Sequence, residues 1–209
     1  MHSKVLSVPY FAQNDNEPWD GNFGNVQCCP TSNAAMAFFL RPDMRKQSYK
    51  LGFSEPESYY KFLFESQGYT ADDRGNHDAH TVVLEKCFGI KSKWSMTLTP
   101  DDFKHSIDRG YPVVCGVSYK VSGHIMLAVG YSDAGLLIND CYGIRAGTAD
   151  YYEAINPGNG ETTGEQDWYS WRTLDSILFD GGGWGRIVQS VDRSVNKSQI
   201  GRASCRERV

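Results

Sequence analysis

The chain has 209 residues, of which 40% are hydrophobic and 22% charged, and its formal net charge is −4. This length fits one domain with additions, and the composition excludes an intrinsically disordered chain and a strongly basic nucleic-acid-binding protein. No apolar run reaches the ~18 residues that a membrane-spanning helix needs. The start of the chain lacks the apolar core of a secretory signal peptide, so we expect a cytoplasmic protein.

The six cysteines show neither the regular spacing of a disulfide framework nor the paired spacing of a zinc site. They are Cys28, Cys29, Cys87, Cys115, Cys141 and Cys205. Cysteines without such a pattern indicate that the protein works in a reducing compartment.

The first half of the chain is predicted to be mostly helical. Residues 5–11 are a candidate for a short apolar strand, and a polar, glycine-containing loop follows at 13–27. The next segment, 31–40, is apolar nearly all round, which is typical of a buried helix, and Pro30 suits the first turn of that helix. Capping residues and terminal glycines predict three more helices, at 54–67, 77–88 and 99–109.

The second half of the chain is predicted to consist mostly of strands. Apolar segments predict four of them, at 111–119, 124–131, 136–140 and 186–189. The turn at 132–135 joins two of these strands into a hairpin, a long glycine-rich loop spans 143–167, and a helix is expected at 170–180. Helices first and an antiparallel sheet later predict an α+β fold.

Cys28 is the first candidate for catalysis, in the segment Cys28-Cys29-Pro30-Thr31-Ser32 directly before the buried helix. The positive end of a helix dipole lowers the pKa of a nearby thiol, and the thiolate is the reactive nucleophile. A buried cysteine that acts as a small hydrophobic residue is the alternative at this point.

His124 and Asp140 are the second and third candidates. His124 opens an apolar strand, and Asp140 ends the next strand of the same hairpin, which brings the two residues close together. An acid in that place can orient the imidazole and stabilise its charged form. Taken singly, each has an ordinary explanation as a strand-end histidine or a turn aspartate. With Cys28 they make a set of nucleophile, base and orienting acid.

Four segments, VPYFAQND, CCPTSNAAMAFFL, GYPVVCGV and GHIMLAVGYSDAGLLINDCYG, resemble the bacteriocin-processing (double-glycine) peptidase-like group of papain-like cysteine peptidases. The resemblance covers roughly residues 5–143. It implies a papain-like fold, in which a helical N-terminal part with a buried nucleophile helix packs on a C-terminal antiparallel sheet. It places Cys28 at the nucleophile, His124 at the base, Asp140 at the third position and Gln13 at the oxyanion donor.

The implied activity is that of a cysteine peptidase or amidase, which hydrolyses a peptide or peptidoglycan amide through an acyl-enzyme without a metal or organic cofactor. Peptides, proteins or peptidoglycan are then the partners, and nucleic acid is not. The sequence departs from the family motif where Cys29 replaces a glycine and Cys141 replaces a proline, and Gln27 is a second candidate for the oxyanion donor. An acyltransferase with the same triad and a non-catalytic peptide-binding module are the alternative functions.

A single domain is expected over 1–199, with a core at 5–143 and a C-terminal elaboration at 144–199. That elaboration resembles phage and metagenomic members of the group, so release with a phage particle is the alternative to a cytoplasmic location. Residues 200–209 resemble the translated read-through of a sequencing adapter, although a genuine basic tail is the other explanation. Without the three arginines and one glutamate of this tail, the net charge becomes −6.

We interpret two further histidines and the five tryptophans as structural residues or cleft-wall residues, not as metal ligands or catalytic groups. His77 and His80 lie three residues apart beside acidic residues, as metal ligands can, but we interpret them as polar residues at a helix start. The tryptophans are expected in the core or on the wall of a cleft, where some line a substrate groove. They are Trp19, Trp94, Trp168, Trp171 and Trp184.

Overall fold

The structure is a computed structural model, which describes residues 3–21, 24–118, 123–145 and 152–195. Within these residues the α-helices are α1 (Cys28–Leu40), α2 (Pro42–Lys50), α3 (Pro56–Ser66), α4 (His77–Phe88), α5 (Pro100–Asp108) and α6 (Trp171–Leu174). A π-helix, Asp175–Phe179, continues α6, so the helix predicted at 170–180 is present in two parts. The strands are β1 (Lys4–Val5), β2 (Ile90–Leu98), β3 (Val113–Val117), β4 (His124–Ser132), β5 (Gly135–Asn139), β6 (Gly143–Arg145), β7 (Tyr152–Ile155), β8 (Asp167–Ser170) and β9 (Gly183–Val191). The tail at 200–209 lies outside the described residues, so its origin stays a prediction, as does the single domain over 1–199.

Six strands follow one another across the main sheet in the order β2–β9–β3–β4–β5–β8, and β1 pairs with β4 as a seventh. All of these pairs are antiparallel. Strands β6 and β7 form a separate antiparallel hairpin. Helices combined with an antiparallel sheet confirm the predicted α+β class. In the described ranges, no helix has the length and apolar character that crossing a membrane requires.

Helix α1 lies between the sheet and helices α2, α3 and α4. It contacts β3 and β4 on one side and α2, α3 and α4 on others, and every residue from Cys29 to Phe38 is buried. This burial agrees with its nearly uniform apolar composition. The Ser32 hydroxyl donates a hydrogen bond of 3.2 Å to the carbonyl oxygen of Ile125, which ties the first turns of α1 to the start of β4.

Helix α4 begins and ends where the local signals predict. The side chain of Asn76 accepts hydrogen bonds from the N–H groups of Asp78 and Ala79, as a helix N-cap does. Gly89 follows the last turn with a φ of 66°, a left-handed conformation that favours glycine. A Cβ at Gly89 would also clash with the backbone oxygen of Asp192. Gly89 therefore ends the helix and also leaves room for the chain segment that follows β9.

Two local predictions are wrong, and one helix was missed. The strand expected at 5–11 is limited to β1, although the N–H of Leu6 still donates to the carbonyl oxygen of Val129 at 2.8 Å. Helix α2 was not predicted, because it buries only Met44 and Ser48 and thus shows no apolar stripe. The segment 143–167 contains β6 and β7 instead of a continuous loop, because such short strands carry little apolar pattern.

Strand β2 was also missed, and it changes the arrangement of the sheet. It follows α4 in the helical half of the chain, yet it pairs with β9, the last strand. One edge of the sheet is therefore supplied by the first half of the chain. The predicted order of helices first and sheet later holds only in part.

Candidate active site

Cys28 is the first residue of α1 and is partly exposed, whereas the next residue, Cys29, is buried. The first turn of a helix leaves backbone N–H groups without acceptors inside the helix, and these groups make that end electropositive. The fold thus places the Cys28 sulfur where a negative charge is stabilised.

His124 and Asp140 come from neighbouring strands. His124 is the first residue of β4, and Asp140 directly follows β5, which pairs with β4 through Leu127 and Asn139. This register places Asp140 beside the beginning of β4, where His124 Nε2 lies 2.8 Å from Asp140 Oδ1. The hairpin therefore brings together the two residues that the motifs single out.

The ring of His124 and the sulfur of Cys28 line the same cleft, and each group shifts the pKa of the other. Because Asp140 engages Nε2, Nδ1 is the ring nitrogen available to the sulfur. Burial raises the pKa of the Cys28 thiol, but the interaction with His124 outweighs burial and lowers that pKa below its ordinary value. Burial lowers the pKa of His124, but Asp140 and Cys28 together raise it to about 10. These directions favour a thiolate–imidazolium pair.

The carboxylate of Asp140 is fully buried and accepts four hydrogen bonds. Oδ1 accepts from His124 and, at 3.0 Å, from the backbone N–H of Tyr142. Oδ2 accepts from the hydroxyls of Tyr152 at 2.9 Å and Tyr169 at 3.0 Å. Burial raises the pKa of Asp140, but His124 and the other donors lower it overall, so the carboxylate stays ionised.

Tyr152 and Tyr169 are site residues that the sequence analysis missed. Tyr152 begins β7, inside the segment predicted as a loop, and Tyr169 lies on β8, the edge strand next to β5. Neither belongs to a motif, so no local signal marks them. Tyr10 was missed as well, although it lies inside the VPYFAQND segment, and its hydroxyl donates to the carbonyl oxygen of Asp140 at 2.8 Å.

Gln13 is buried, and its amide binds a neighbour at each end. Nε2 donates to the carbonyl oxygen of Gly24 at 2.9 Å, and Oε1 accepts from the Cys141 thiol at 3.1 Å. The same thiol lies 3.9 Å from the carbonyl oxygen of Cys28, so Gln13 is near the first turn of α1. Gln27, the second candidate, donates to a carbonyl oxygen of the preceding loop at 2.9 Å.

The thiol of Cys29 has surroundings unlike those of Cys28. Its Sγ lies 3.6 Å from Asn33 Nδ2, inside the core. Burial and the neighbouring Cys28 raise its pKa well above the ordinary value, so the thiol stays protonated at neutral pH. The geometry therefore favours Cys28 over Cys29 as the nucleophile.

One group of side chains in the described ranges has the spacing of metal ligands. The ligand atoms of His124, Asp140 and Cys141 all lie within 4.8 Å of one another. Each already takes part in a hydrogen bond, His124 with Asp140 and Cys141 with Gln13. A metal ion would have to displace these bonds, so the donor set fits a hydrogen-bonded network better than a metal centre.

His77 and His80 have structural partners. The two ring nitrogens of His80 lie 2.9 Å from the hydroxyl of Tyr60 and 2.9 Å from the carbonyl oxygen of Arg74. His77 stacks on Trp94 with ring centroids 3.4 Å apart. These contacts agree with their interpretation as residues of a helix start.

A cleft of about 620 Å³ runs from the start of α1 across the face of the sheet. One end holds the sulfur of Cys28 and the ring of His124. Trp94 from β2 and Trp184 from β9 stand at the other end, and Gly116 of β3 lies between the two ends. The cleft thus gives a substrate access to the candidate nucleophile and base.

A sequence model of the Peptidase C39-like family matches residues 5–174. No curated protein matches the chain. A crystal structure from Bacillus anthracis, described as a candidate C39-like peptidase, is 13% identical, with a TM-score of 0.49 over 92% of this chain and 100% of that chain. The family assignment therefore rests on the sequence model, which covers most of the chain. The chain belongs to the Peptidase C39-like family, in agreement with the resemblance of its motifs.

Proposed function

We propose that the chain is a cysteine peptidase or amidase of papain-like architecture, with Cys28, His124 and Asp140 as its triad. The observation that carries this proposal is the hydrogen bond of 2.8 Å between the His124 ring and the buried Asp140 carboxylate, in a cleft that Cys28 and His124 line together. The contact of α1 with β4 supports the papain-like arrangement. The substrate is a peptide or peptidoglycan amide, and the residues named supply the chemistry without a cofactor.

The reaction begins from the Cys28 thiolate and the His124 imidazolium. The sulfur attacks the amide carbonyl carbon, and the π electrons of the carbonyl move to its oxygen. His124 gives its proton to the leaving nitrogen as the C–N bond breaks, which leaves a thioester. His124 then takes a proton from water, which attacks the thioester and releases the thiolate. Asp140 accepts the hydrogen bond from His124 throughout and keeps its charge.

The oxyanion needs hydrogen-bond donors near the attacked carbonyl. We propose the backbone N–H of Cys28 and the side chain of Gln13 for this role. The first N–H groups of a helix have no acceptor inside the helix, and Cys28 is the first residue of α1. Gln13 Nε2 carries two hydrogens, of which the carbonyl of Gly24 uses one.

Thiol labelling tests whether Cys28 is activated. Iodoacetamide at neutral pH, followed by mass mapping, should label Cys28 much faster than Cys87 and Cys115. Burial raises the pKa values of those two thiols to about 11 and about 12. His124→Ala should slow the labelling of Cys28, because the thiolate loses its charged partner.

Product analysis tests the reaction itself. Wild-type protein should cleave members of a peptide library or purified peptidoglycan, and Cys28→Ala should cleave none of them. Products that form only when an amine is added would instead favour an acyltransferase. A Cys28 that reacts as slowly as the buried thiols would contradict the proposal and favour a binding module.

A further inference from the structure

Cys141, the residue after Asp140, is hydrogen-bonded to Gln13 twice. The backbone N–H of Gln13 donates to the carbonyl oxygen of Cys141 at 2.9 Å, and the Cys141 thiol donates to Gln13 Oε1 at 3.1 Å. We infer that Cys141 is a positioning residue, whose thiol holds the Gln13 amide in the orientation that stabilises the oxyanion. The inference rests on the proposed function, in which Gln13 is an oxyanion donor.

The neighbours of Gln13 fix which end of its amide faces Cys141. The carbonyl oxygen of Gly24 can only accept a hydrogen bond, so the Gln13 atom that lies 2.9 Å from it is the nitrogen, Nε2. Oε1 is then the atom beside Cys141. Gln13 is 1% exposed, and a buried oxygen of this kind needs a donor from the protein. In the described part of the chain, that donor is the Cys141 thiol.

The single hydrogen of the Cys141 thiol is directed at Gln13. Oε1 of Gln13 lies 3.1 Å from Sγ. The carbonyl oxygens of Ile125 and Cys28 lie farther from Sγ, at 3.8 and 3.9 Å, as does the hydroxyl of Ser32 at 3.8 Å. Burial and the neighbouring negative charges raise the pKa of the Cys141 thiol well above its ordinary value, so Sγ keeps its hydrogen at neutral pH.

A planar amide that is hydrogen-bonded at both ends has a fixed orientation. Gly24 accepts one hydrogen of Gln13 Nε2 and Cys141 donates to Oε1, so the direction of the second Nε2 hydrogen is set. An oxyanion donor that is already in place needs no reorganisation during the reaction, which makes it more effective. The family motif has a proline in place of Cys141, and the side chain of proline has no hydrogen-bond donor. The thiol contact is therefore specific to this sequence.

Two probes separate oxyanion stabilisation from the reactivity of the Cys28 sulfur. The p-nitrophenyl ester of N-acetylglycine acylates the sulfur through a tetrahedral oxyanion, which collapses to a thioester and p-nitrophenolate. The release of p-nitrophenolate in a single turnover gives the acylation rate, and Cys28→Ala gives the background. Iodoacetamide alkylates the same sulfur by displacement of iodide, without an oxyanion. The ratio of the two rates therefore reports the oxyanion donors.

Cys141→Ala should slow acylation at least about fivefold while the iodoacetamide rate stays within about twofold. The buried Oε1 of Gln13 then lacks its donor, which costs about that factor or more, so the amide leaves its orientation. Cys141→Ser keeps a donor and should recover most of the loss. Cys87→Ala is the matched control, because Cys87 is also a buried thiol but lies on α4, outside the cleft. It should leave both rates unchanged.

A double variant tests whether Cys141 acts through Gln13. Gln13→Ala should slow acylation at least about tenfold, since removal of one oxyanion donor costs ~10²- to 10³-fold. Addition of Cys141→Ala to Gln13→Ala should cause no further loss, because the thiol then has no amide to hold.

The outcomes separate the role of Cys141 from the function on which it rests. An unchanged acylation rate in Cys141→Ala, a Cys141→Ser as slow as Cys141→Ala, an equal loss with both probes, or a loss that persists in the double variant overturns the role of Cys141 and keeps the proposed triad. An unchanged acylation rate in Gln13→Ala overturns Gln13 as an oxyanion donor together with the role of Cys141. Slow reaction of wild-type Cys28 with both probes overturns the proposed function as well.

Discussion

Cys28 and Cys29 are adjacent in the chain, but the fold gives their thiols opposite properties. Cys28 faces His124 at the end of the cleft, whereas Cys29 points into the core beside Asn33. One thiol has its pKa lowered by a charged partner, and the other has its pKa raised by burial. A rotation of about 100° per helical residue is enough to separate the two environments.

This contrast predicts different effects for two substitutions. Cys28→Ala should reduce peptide hydrolysis to background, because it removes the proposed nucleophile. Cys29→Gly restores the glycine of the family motif and should retain or raise activity, at a cost of up to ~1 kcal/mol in helix stability. Steady-state rates and thermal melting measure the two effects. An active Cys28→Ala together with a folded but inactive Cys29→Gly would show that the register of the motif is wrong.

Asp140→Asn tests how the charge of the third triad residue affects activity, because the substitution removes the charge and keeps the size of the side chain. An amide of similar size fills the site, so we expect the fold to persist while turnover falls by about 10²- to 10⁴-fold. Asp140 raises the pKa of His124, and its neutralisation should therefore move the alkaline limb of the pH–rate profile to lower pH. Measurement of kcat/KM against pH tests both effects. An unchanged rate and profile would remove Asp140 from the mechanism and leave Asn139 as the next candidate.

At the scale of elements, the β6–β7 hairpin and the loop after it cover the Asp140 side of the site. The ring of Tyr152 lies 6.2 Å from the ring of His124, and the ring of Tyr142 lies 6.4 Å from it. The carbonyl oxygen of Gly164, in the loop before β8, accepts a hydrogen bond of 2.9 Å from the N–H of Asp140. These contacts hold the Asp140 backbone between the sheet and the covering segment.

Gly164 is a position in that cover where a side chain would clash with the backbone of Asp140. It has a φ of 101°, and a Cβ there would clash with the carbonyl oxygen of Asp140 and lie 2.7 Å from that of Gly143. Gly164→Ala should therefore destabilise the protein by about 1–3 kcal/mol and lower activity by shifting Asp140. Gly160→Ala is a matched control, because Gly160 also has a positive φ, of 83°, but has no atom near its Cβ position. Urea denaturation should show a clearly smaller loss for Gly160→Ala, and equal losses would contradict the clash.

At the scale of the whole molecule, His80 joins two helices to the rim of the cleft. Its ring nitrogens are bonded to the hydroxyl of Tyr60 on α3 and to the carbonyl oxygen of Arg74, which lines the cleft. Burial lowers the pKa of His80 to about 3, whereas an unfolded histidine titrates near 6.5. The unfolded chain therefore binds a proton below about pH 6.5 that the folded chain does not bind.

This difference predicts that stability falls as the pH drops from about 6.5 toward 3. One such proton contributes a slope of ~1.4 kcal/mol per pH unit to the free energy of unfolding. His80→Gln should lower stability at neutral pH, because it disturbs two buried hydrogen bonds, and should reduce the acid slope by about that amount. Urea denaturation at several pH values measures the slope. His105→Gln, on the exposed side of α5, should leave it unchanged, and an unchanged slope in His80→Gln would contradict the prediction.

The sequence by itself determined the elements whose signals are local. Helix α4 begins at the capping side chain of Asn76 and ends at Gly89, and the hairpin of β4 and β5 follows from two apolar runs and a turn. The candidates Cys28, His124 and Asp140 were also predictable, because each stands at the end of an element that its neighbours define. Adjacent strands of a hairpin must meet, so the closeness of His124 and Asp140 needed no knowledge of the rest of the chain.

Only the tertiary structure decided the contacts between segments that are distant along the chain. Strand β2 pairs with β9 across almost a hundred residues, and Tyr169 reaches Asp140 because β8 pairs with β5. The tryptophan walls of the cleft, Trp94 and Trp184, come together in the same way from β2 and β9. A strand's partner depends on which complementary surface and hydrogen-bonding edge lie beside it after folding, and no local pattern of residues encodes that choice.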